Sequence, residues 1–301
     1  MASITKNVGK RKGSYTGFLY ILPWLAGFIV FQLYPFLYSF ILSFTDAGPI
    51  GAYRWIGLNN YSQLFRDADF YKSFSVTFAY VLIAVPVKLI FALLVAMMLS
   101  AKLRFIHVYR TVYYLPSILG GSVAVSVLWR VLFLRDGMIN AFLEKLHVPP
   151  VDWLGSPDVA LYTVSMLAVW QFGSSMVIFL AGIKQIPQDL YEAATVDGAS
   201  KVRRFVTITI PMLTPLIFFN LVMQTVGAFQ DFTGAFVITG GGPLKSTYLY
   251  ALKLYEEAFR FYNIGYASAL SWVLFVVLMI WTVLIFQSSR SWIHYEDGGD
   301  K

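Results

Sequence analysis

The run Ile186-Pro187-Gln188-Asp189-Leu190-Tyr191-Glu192-Ala193-Ala194-Thr195-Val196-Asp197-Gly198-Ala199-Ser200, continuing to Ile208-Thr209-Ile210-Pro211, is a polar, well-punctuated segment between two strongly apolar ones. It reads as two short helices. Pro187 suits a first helical position, where the missing N–H is not needed, and Asp189 lies where a carboxylate favours the positive end of the helix dipole. Gly198 supplies a left-handed residue that ends the helix and permits a sharp corner. Ala193 and Ala194 leave low relief beside Glu192, so this helix is shaped to dock closely in another protein's groove, with the glutamate free to pair with a basic residue there.

Working outward, residues 159–183 and 213–230 are each apolar over the roughly 20 residues that a helix needs to cross about 30 Å of hydrocarbon. The same criterion marks 17–44, 75–101, 110–133 and 265–287, giving six spans. Composition agrees: of 301 residues 58% are hydrophobic, 18% aromatic and only 13% charged, with a mean hydropathy of +0.65. Soluble domains are roughly a quarter charged, so a water-soluble globule is excluded and the fold class is an all-α membrane protein with six transmembrane helices. Cysteine is absent, which removes disulfides, thiolate metal sites and cysteine nucleophiles.

The basic opening Lys6, Lys10, Arg11 and Lys12 superficially resembles a secretory signal. The apolar run after it is too long for one and lacks a small-x-small cleavage site, so it reads as a retained anchor. With both termini inside, the internal segments hold about 13 Lys and Arg against 6 Asp and Glu, and the external loops about 8 against 10. Lys102, Arg104, Arg110, Lys184, Lys201, Arg203 and Arg204 carry much of that asymmetry. The organisation is therefore a cytoplasmic basic tail (1–16), a first transmembrane helix (17–44), an external loop (45–74), a core of five transmembrane helices (75–288) containing the segment 187–211, and a cytoplasmic tail (289–301). Pro23, Pro35 and Pro86 free backbone carbonyls within the first two helices, and kinks there make cavities possible.

The segment 187–211 also resembles a known signature, that of the membrane-spanning permease subunits of binding-protein-dependent ABC importers: Glu-Ala-Ala, three residues, Gly, nine residues, Ile-x-Leu-Pro. Here it stands as Glu192-Ala193-Ala194, Gly198 and Ile208-Thr209-Ile210-Pro211, departing only by Ile210. Leu33-Tyr34-Pro35, Trp55-Ile56-Gly57-Leu58-Asn59-Asn60-Tyr61, Arg110-Thr111-Val112-Tyr113-Tyr114-Leu115-Pro116 and Thr239-Gly240-Gly241-Gly242-Pro243 with Ser246-Thr247 are similar to the maltose-type and glycerol-phosphate-type sugar branch. The large periplasmic insertion of the maltose-type member has no counterpart, so its binding-protein contacts do not carry over.

The resemblance implies a type I ABC importer permease fold with a cytoplasmic coupling helix. Tyr191, Glu192, Ala193, Ala194, Asp197 and Gly198 would engage a cleft on a separate ATPase subunit. It implies no catalysis and no cofactor in this chain, ATP and Mg residing on two partner ATPase subunits. A second, homologous permease, an extracytoplasmic sugar-binding protein and membrane lipid complete the expected partners; nucleic acid is not among them. Oligosaccharide, monosaccharide and glycerol-phosphate-like cargo stay open, in that order.

Polar residues are costly in hydrocarbon and tend to face protein or water. Trp170, Gln171 and Ser174 in the fourth span and Asn220, Gln224, Gly227, Gln230 and Asp231 in the fifth form the candidate substrate path. Amides and carboxylates suit sugar hydroxyls, and aromatic faces suit the apolar side of a sugar ring; bonding between neighbouring helices is the competing use. Lys88, midway along the second span, needs accommodation by snorkelling, by backbone carbonyls or by a partner's carboxylate, with recognition of an acidic saccharide as the minority alternative. Gly240 to Thr247 is not a phosphate loop, because Leu244 stands where glycine must precede lysine; it reads as an external turn. His107, His147 and His294 have no metal-ligand spacing. An ion-coupled secondary transporter or channel is the alternative class, with a membrane-embedded enzyme third; Lys88 is its clearest titratable candidate.

Overall fold

The computed structural model describes residues 16–101 and 104–293. The basic tail, Lys102 and His294 lie outside the described residues. Along the chain run α1 (Thr16–Phe28), a π-helical turn (Ile29–Leu33), α2 (Tyr34–Leu42), α3 (Asn59–Leu64), α4 (Ala68–Ser100), α5 (Ile106–Leu119), α6 (Val123–Leu132), α7 (Met138–Lys145), α8 (Pro157–Trp170) and α9 (Gly173–Gln185). Then come α10 (Gln188–Val196), α11 (Lys201–Arg204), a second π turn (Phe205–Thr209), α12 (Ile210–Phe229), α13 (Thr233–Ile238), α14 (Tyr250–Tyr255), a third π turn (Glu256–Arg260) and α15 (Ile264–Ser289). Among the described residues no strand forms beyond one bridge between Thr45 and Trp55.

Four spans are long and apolar enough to cross a bilayer unbroken: Tyr20–Leu42, Ala68–Ser100, Lys201–Phe229 and Ile264–Ser289. The expected third and fourth spans are each a bent pair. α5 and α6 meet at 101°, α8 and α9 at 47°. The sharper bend falls on Gly120, Gly121 and Ser122, where Ser122 caps α6 by accepting from the Val125 N–H at 3.3 Å. Counting each pair as one crossing restores six.

Two of the prolines that open helical segments are accommodated by π turns. Pro35 and Pro211 each follow a wide turn closed by an i to i−5 bond, Tyr34 N–H to Ile29 O and Ile210 N–H to Phe205 O. Widening the helix relieves the clash between the proline ring and the preceding turn. For the segment 187–211 this changes the expected picture. α10 stands alone as a short helix, starting just after Pro187, but α11 has no breaker behind it and runs through the π turn into α12.

α4 is the central helix, packing on α8, α9 and α12. Begun at Asp67, whose carboxylate accepts from the Asp69 N–H at 2.8 Å, it starts earlier than its apolar pattern implies. Apolar burial does not drive helices together in lipid, so close fit must. Ala84, Ala92 and Ala96 on α4 are buried. Gly182 of α9 sits so near α12 that a Cβ there would lie 2.2 Å from Leu216 Cδ1. By contrast, no residue of Tyr20–Leu42 is buried; α2 touches the bundle through Phe36 and Phe40, each 4.6 Å from the Trp272 ring of α15.

Candidate functional site

A cavity of about 270 Å³ lies among α4, the α5–α6 break, α8 and the end of α12. Tyr80, Ala84 and Lys88 recur every four residues and so present one stripe of α4 to it. Gln171 enters from the α8–α9 bend, its Nε2 donating to Gly120 O at 2.9 Å. Ser117 Oγ donates to the Gln171 carbonyl at 3.0 Å and accepts from the Ser174 N–H at 3.0 Å. The two breaks thereby satisfy each other's freed backbone groups, the condition for irregular backbone at membrane depth. Gln224, Gly227 and Asp231 come from α12 and its end, and Tyr80 Oη donates a hydrogen bond to Asp231 Oδ2. The result is a small apolar-walled chamber carrying two amides, a phenol, an ammonium and a carboxylate.

The second site is the surface around α10. None of its residues is buried; Glu192 is exposed, and Val196 is 89% exposed. Gly198 takes φ +73°, the left-handed turn that ends the helix. The helix is nonetheless tied down. Tyr191 Oη lies 2.9 Å from Thr209 Oγ1, and Arg204 donates to Thr195 Oγ1 at 2.7 Å. Beneath it a cavity of about 360 Å³ is lined by Lys184, Gln188, Tyr191, Lys201 and Arg204.

Residues 65–292 match the family described as binding-protein-dependent transport system inner membrane component. The chain belongs to that family. It is 47% identical over 298 residues to the probable ABC transporter permease protein YesP of Bacillus subtilis (strain 168), covering 98% of this chain and 96% of the relative. It is 33% identical over 298 residues to the lactose transport system permease protein LacF of Rhizobium radiobacter, covering 96% and 99%. A chain of a bacterial ABC transporter involved in import of the acidic polysaccharide alginate shares the fold, with a TM-score of 0.77 at 22% identity over 92% of this chain and 96% of that one. This permease is thus a multi-pass inner-membrane transport subunit rather than an enzyme; in such systems the ATPase is a separate chain.

Of the residues the sequence marks for the substrate path, this permease brings Gln171, Gln224, Gly227 and Asp231 together in the cavity. The others sit elsewhere. Trp170 packs 6.0 Å from the Trp129 ring, Asn220 is buried and donates to Leu216 O of its own helix at 3.0 Å, and Gln230 is exposed. Ser174 is held by its N–H at the bend. Tyr80 and Thr233 also line the chamber and were not marked by sequence. A tyrosine in an apolar helix carries no local signal of its own; its partner lies 151 residues away.

At the opposite end of α4 from α10, the permease has an ion-paired junction. Lys253 is almost wholly buried, its Nζ 2.6 Å from Asp67 Oδ2 and 3.2 Å from Glu257 Oε1. Tyr266 Oη donates to Asp67 at 2.8 Å. The Gly240–Thr247 segment is a turn, as its composition suggests: Thr239 and Thr247 hydroxyls meet at 2.6 Å, Thr247 Oγ1 donates to Gly242 O at 2.8 Å, and Lys245 pairs with Asp69. Among the described residues no group of His, Asp or Glu is arranged to hold a metal ion.

Proposed function

We propose that this permease is one of two membrane-spanning subunits of an ATP-driven, binding-protein-dependent sugar importer, oligosaccharides foremost. The observation that carries the reading is physical continuity. α10, exposed and ended by the left-handed Gly198, is tied by Tyr191 and Thr209 to the base of the helix running from Lys201 to Phe229, and the far end of that helix lines the chamber with Gln224 and Gly227. Closure of an ATPase dimer can shift the permease only through a contact whose geometry differs between two states. A short rigid helix bearing Glu192 on a long rigid helix meets that need.

In this reading both termini are cytoplasmic, two ATPase subunits sit beneath α10 and its counterpart in a second, homologous permease, and a sugar-binding protein docks above. The Asp67–Lys253 junction and the Gly240–Thr247 turn belong to that upper face. ATP-driven approach of the two coupling helices opens the path outward, and hydrolysis resets it. The sugar assignment is supported by the lactose transport relative and by the chamber's mixture of amide and hydroxyl partners, which suits polyols. A volume of about 270 Å³ is just under the range of about 300–1,000 Å³ usual for small-molecule sites, as fits a half-site completed by the second permease.

The test is ATPase activity of the complete reconstituted assembly, with its binding protein and a panel of saccharides, comparing the native chain with Glu192→Ala. Stimulation by a sugar, lost in the variant while the assembly stays intact, is expected. Sugar flux that persists without any ATPase subunit would overturn the reading in favour of an ion-coupled carrier.

A further inference from the structure

The chamber holds one cation among its lining residues, Lys88, and one anion, Asp231, and the two are treated differently by the protein. Asp231 has fixed partners. Its carboxylate accepts from the Tyr80 hydroxyl, with the backbone amides of Phe232 and Gly234 beside it at the start of α13. Lys88 has none of this kind. Among the described residues its ammonium makes no hydrogen bond, and no carboxylate oxygen lies within 4.0 Å of it. It is half-buried and faces the chamber, where Asp231 is felt only through space.

An ammonium held midway along an apolar span, more than three helical turns from either end of α4, is costly unless water or an anion meets it. Beside the accommodations its sequence position suggests, snorkelling, backbone carbonyls or a partner subunit's carboxylate, the chain itself places Asp231 in the same chamber. Yet the Asp231 carboxylate is turned to Tyr80 and leaves the cation unpaired. The ammonium's hydrogen bonds are thus open to a group that enters the chamber, and with a single cation on the lining a carboxylate suits it better than a phosphate dianion. Around it, Gln171 and Gln224 offer donors and acceptors suited to hydroxyls.

We propose that Lys88 reads a carboxylate on the cargo, so that the imported saccharide contains a uronic acid residue. This rests on the sugar-importer reading and specifies its substrate class. The carboxylate pairs with Lys88 Nζ, and ring hydroxyls exchange hydrogen bonds with Gln171 and Gln224. Lysine offers a compact point charge rather than a planar fork, so it tolerates the carboxylate in more than one ring orientation as the saccharide moves.

The experiment compares uptake of a labelled uronic acid-containing disaccharide with that of its carboxyl-reduced, neutral counterpart in host cells carrying the complete transporter. Native chain, Lys88→Gln and Lys88→Arg are compared at matched membrane levels. The native transporter should favour the uronide. Lys88→Gln should lower uronide uptake about ten- to hundredfold, the range of a charge-assisted hydrogen bond, and lower that of the neutral disaccharide far less, so that the preference is lost, while Lys88→Arg retains it. Equal loss of both sugars in Lys88→Gln would show a merely structural lysine and overturn the proposal, as would an unaltered ratio or native preference for the neutral sugar; the sugar-importer reading would survive each of these. That reading fails, and the proposal with it, if no saccharide of a wider acidic and neutral panel stimulates the ATPase of the native assembly.

Discussion

The phenol oxygen of Tyr191 lies 2.9 Å from the hydroxyl of Thr209, joining an exposed nine-residue helix to the π turn on which the membrane helix α12 is built. With the Arg204 to Thr195 bond, it is one of two side-chain links between the surface proposed to feel ATP and the helix proposed to feel sugar. Tyr191→Phe removes it without changing shape. A net hydrogen bond of about 1 kcal/mol corresponds to roughly a fivefold change in an equilibrium. Sugar-stimulated ATPase activity should fall by about that factor while basal hydrolysis and assembly stay intact; parallel loss of basal and stimulated activity would count against a coupling role.

Gly120 is where a side chain would most directly damage the chamber. A Cβ there would fall 2.1 Å from Gln171 Cγ and 2.7 Å from the Pro116 carbonyl oxygen, whereas at Gly121 nothing lies within 4 Å. Gly120→Ala should push Gln171 off its bond to the Gly120 carbonyl and raise the half-saturating sugar concentration several-fold. Gly121→Ala should transport normally. Concentration dependence of uptake for the two variants checks both expectations in one series.

The Asp67–Lys253 junction makes a pH prediction. Burial pushes the Asp67 carboxyl up, but the hydrogen bonds from Lys253, Tyr266 and the Asp69 amide outweigh that and hold it below its ordinary value. A carboxyl depressed in the folded state contributes stability that is fully present above the unfolded value of about 3.9 and is lost as pH falls through the lower folded value. Thermal stability of the detergent-solubilised protein should therefore be insensitive to this group from neutrality down to about pH 5 and decline through it only below about pH 4. Asp67→Asn should flatten that acid limb and cost about 1–3 kcal/mol at pH 7, because Asp67 is partly open to solvent and Glu257 remains beside Lys253.

Asn140 is buried and fully used. Its Nδ2 donates to the carbonyls of Arg135 and Val151 at 3.0 and 2.8 Å, and its Oδ1 accepts from the Val151 N–H and from Trp153 Nε1, each at 3.0 Å. One side chain thus closes the whole loop between α6 and α8. Asn140→Ala strands those groups at about 1–3 kcal/mol each where water cannot reach them. Limited proteolysis should begin to cut residues 134–156 in the variant while the α10 surface stays as protected as in the native chain.

Much of this molecule is local enough to be written in its sequence. The recurring apolar runs, the start of α10 after Pro187, its Asp189-bearing first turn and the left-handed Gly198 follow from hydropathy, dipole and φ preference within a few residues. The 101° break between α5 and α6 had a readable cue in Gly120-Gly121, yet an apolar run long enough to span conceals it. What no local pattern contains is which face of each helix packs. In lipid both the exposed and the packed faces are apolar, so the amphipathic stripe that orients a helix in water is missing. Tertiary structure alone decided that Tyr80, Ala84 and Lys88 turn toward Gln171, Gln224 and Asp231, that Asn220 and Gln230 turn elsewhere, and that a tyrosine meets an aspartate 151 residues away.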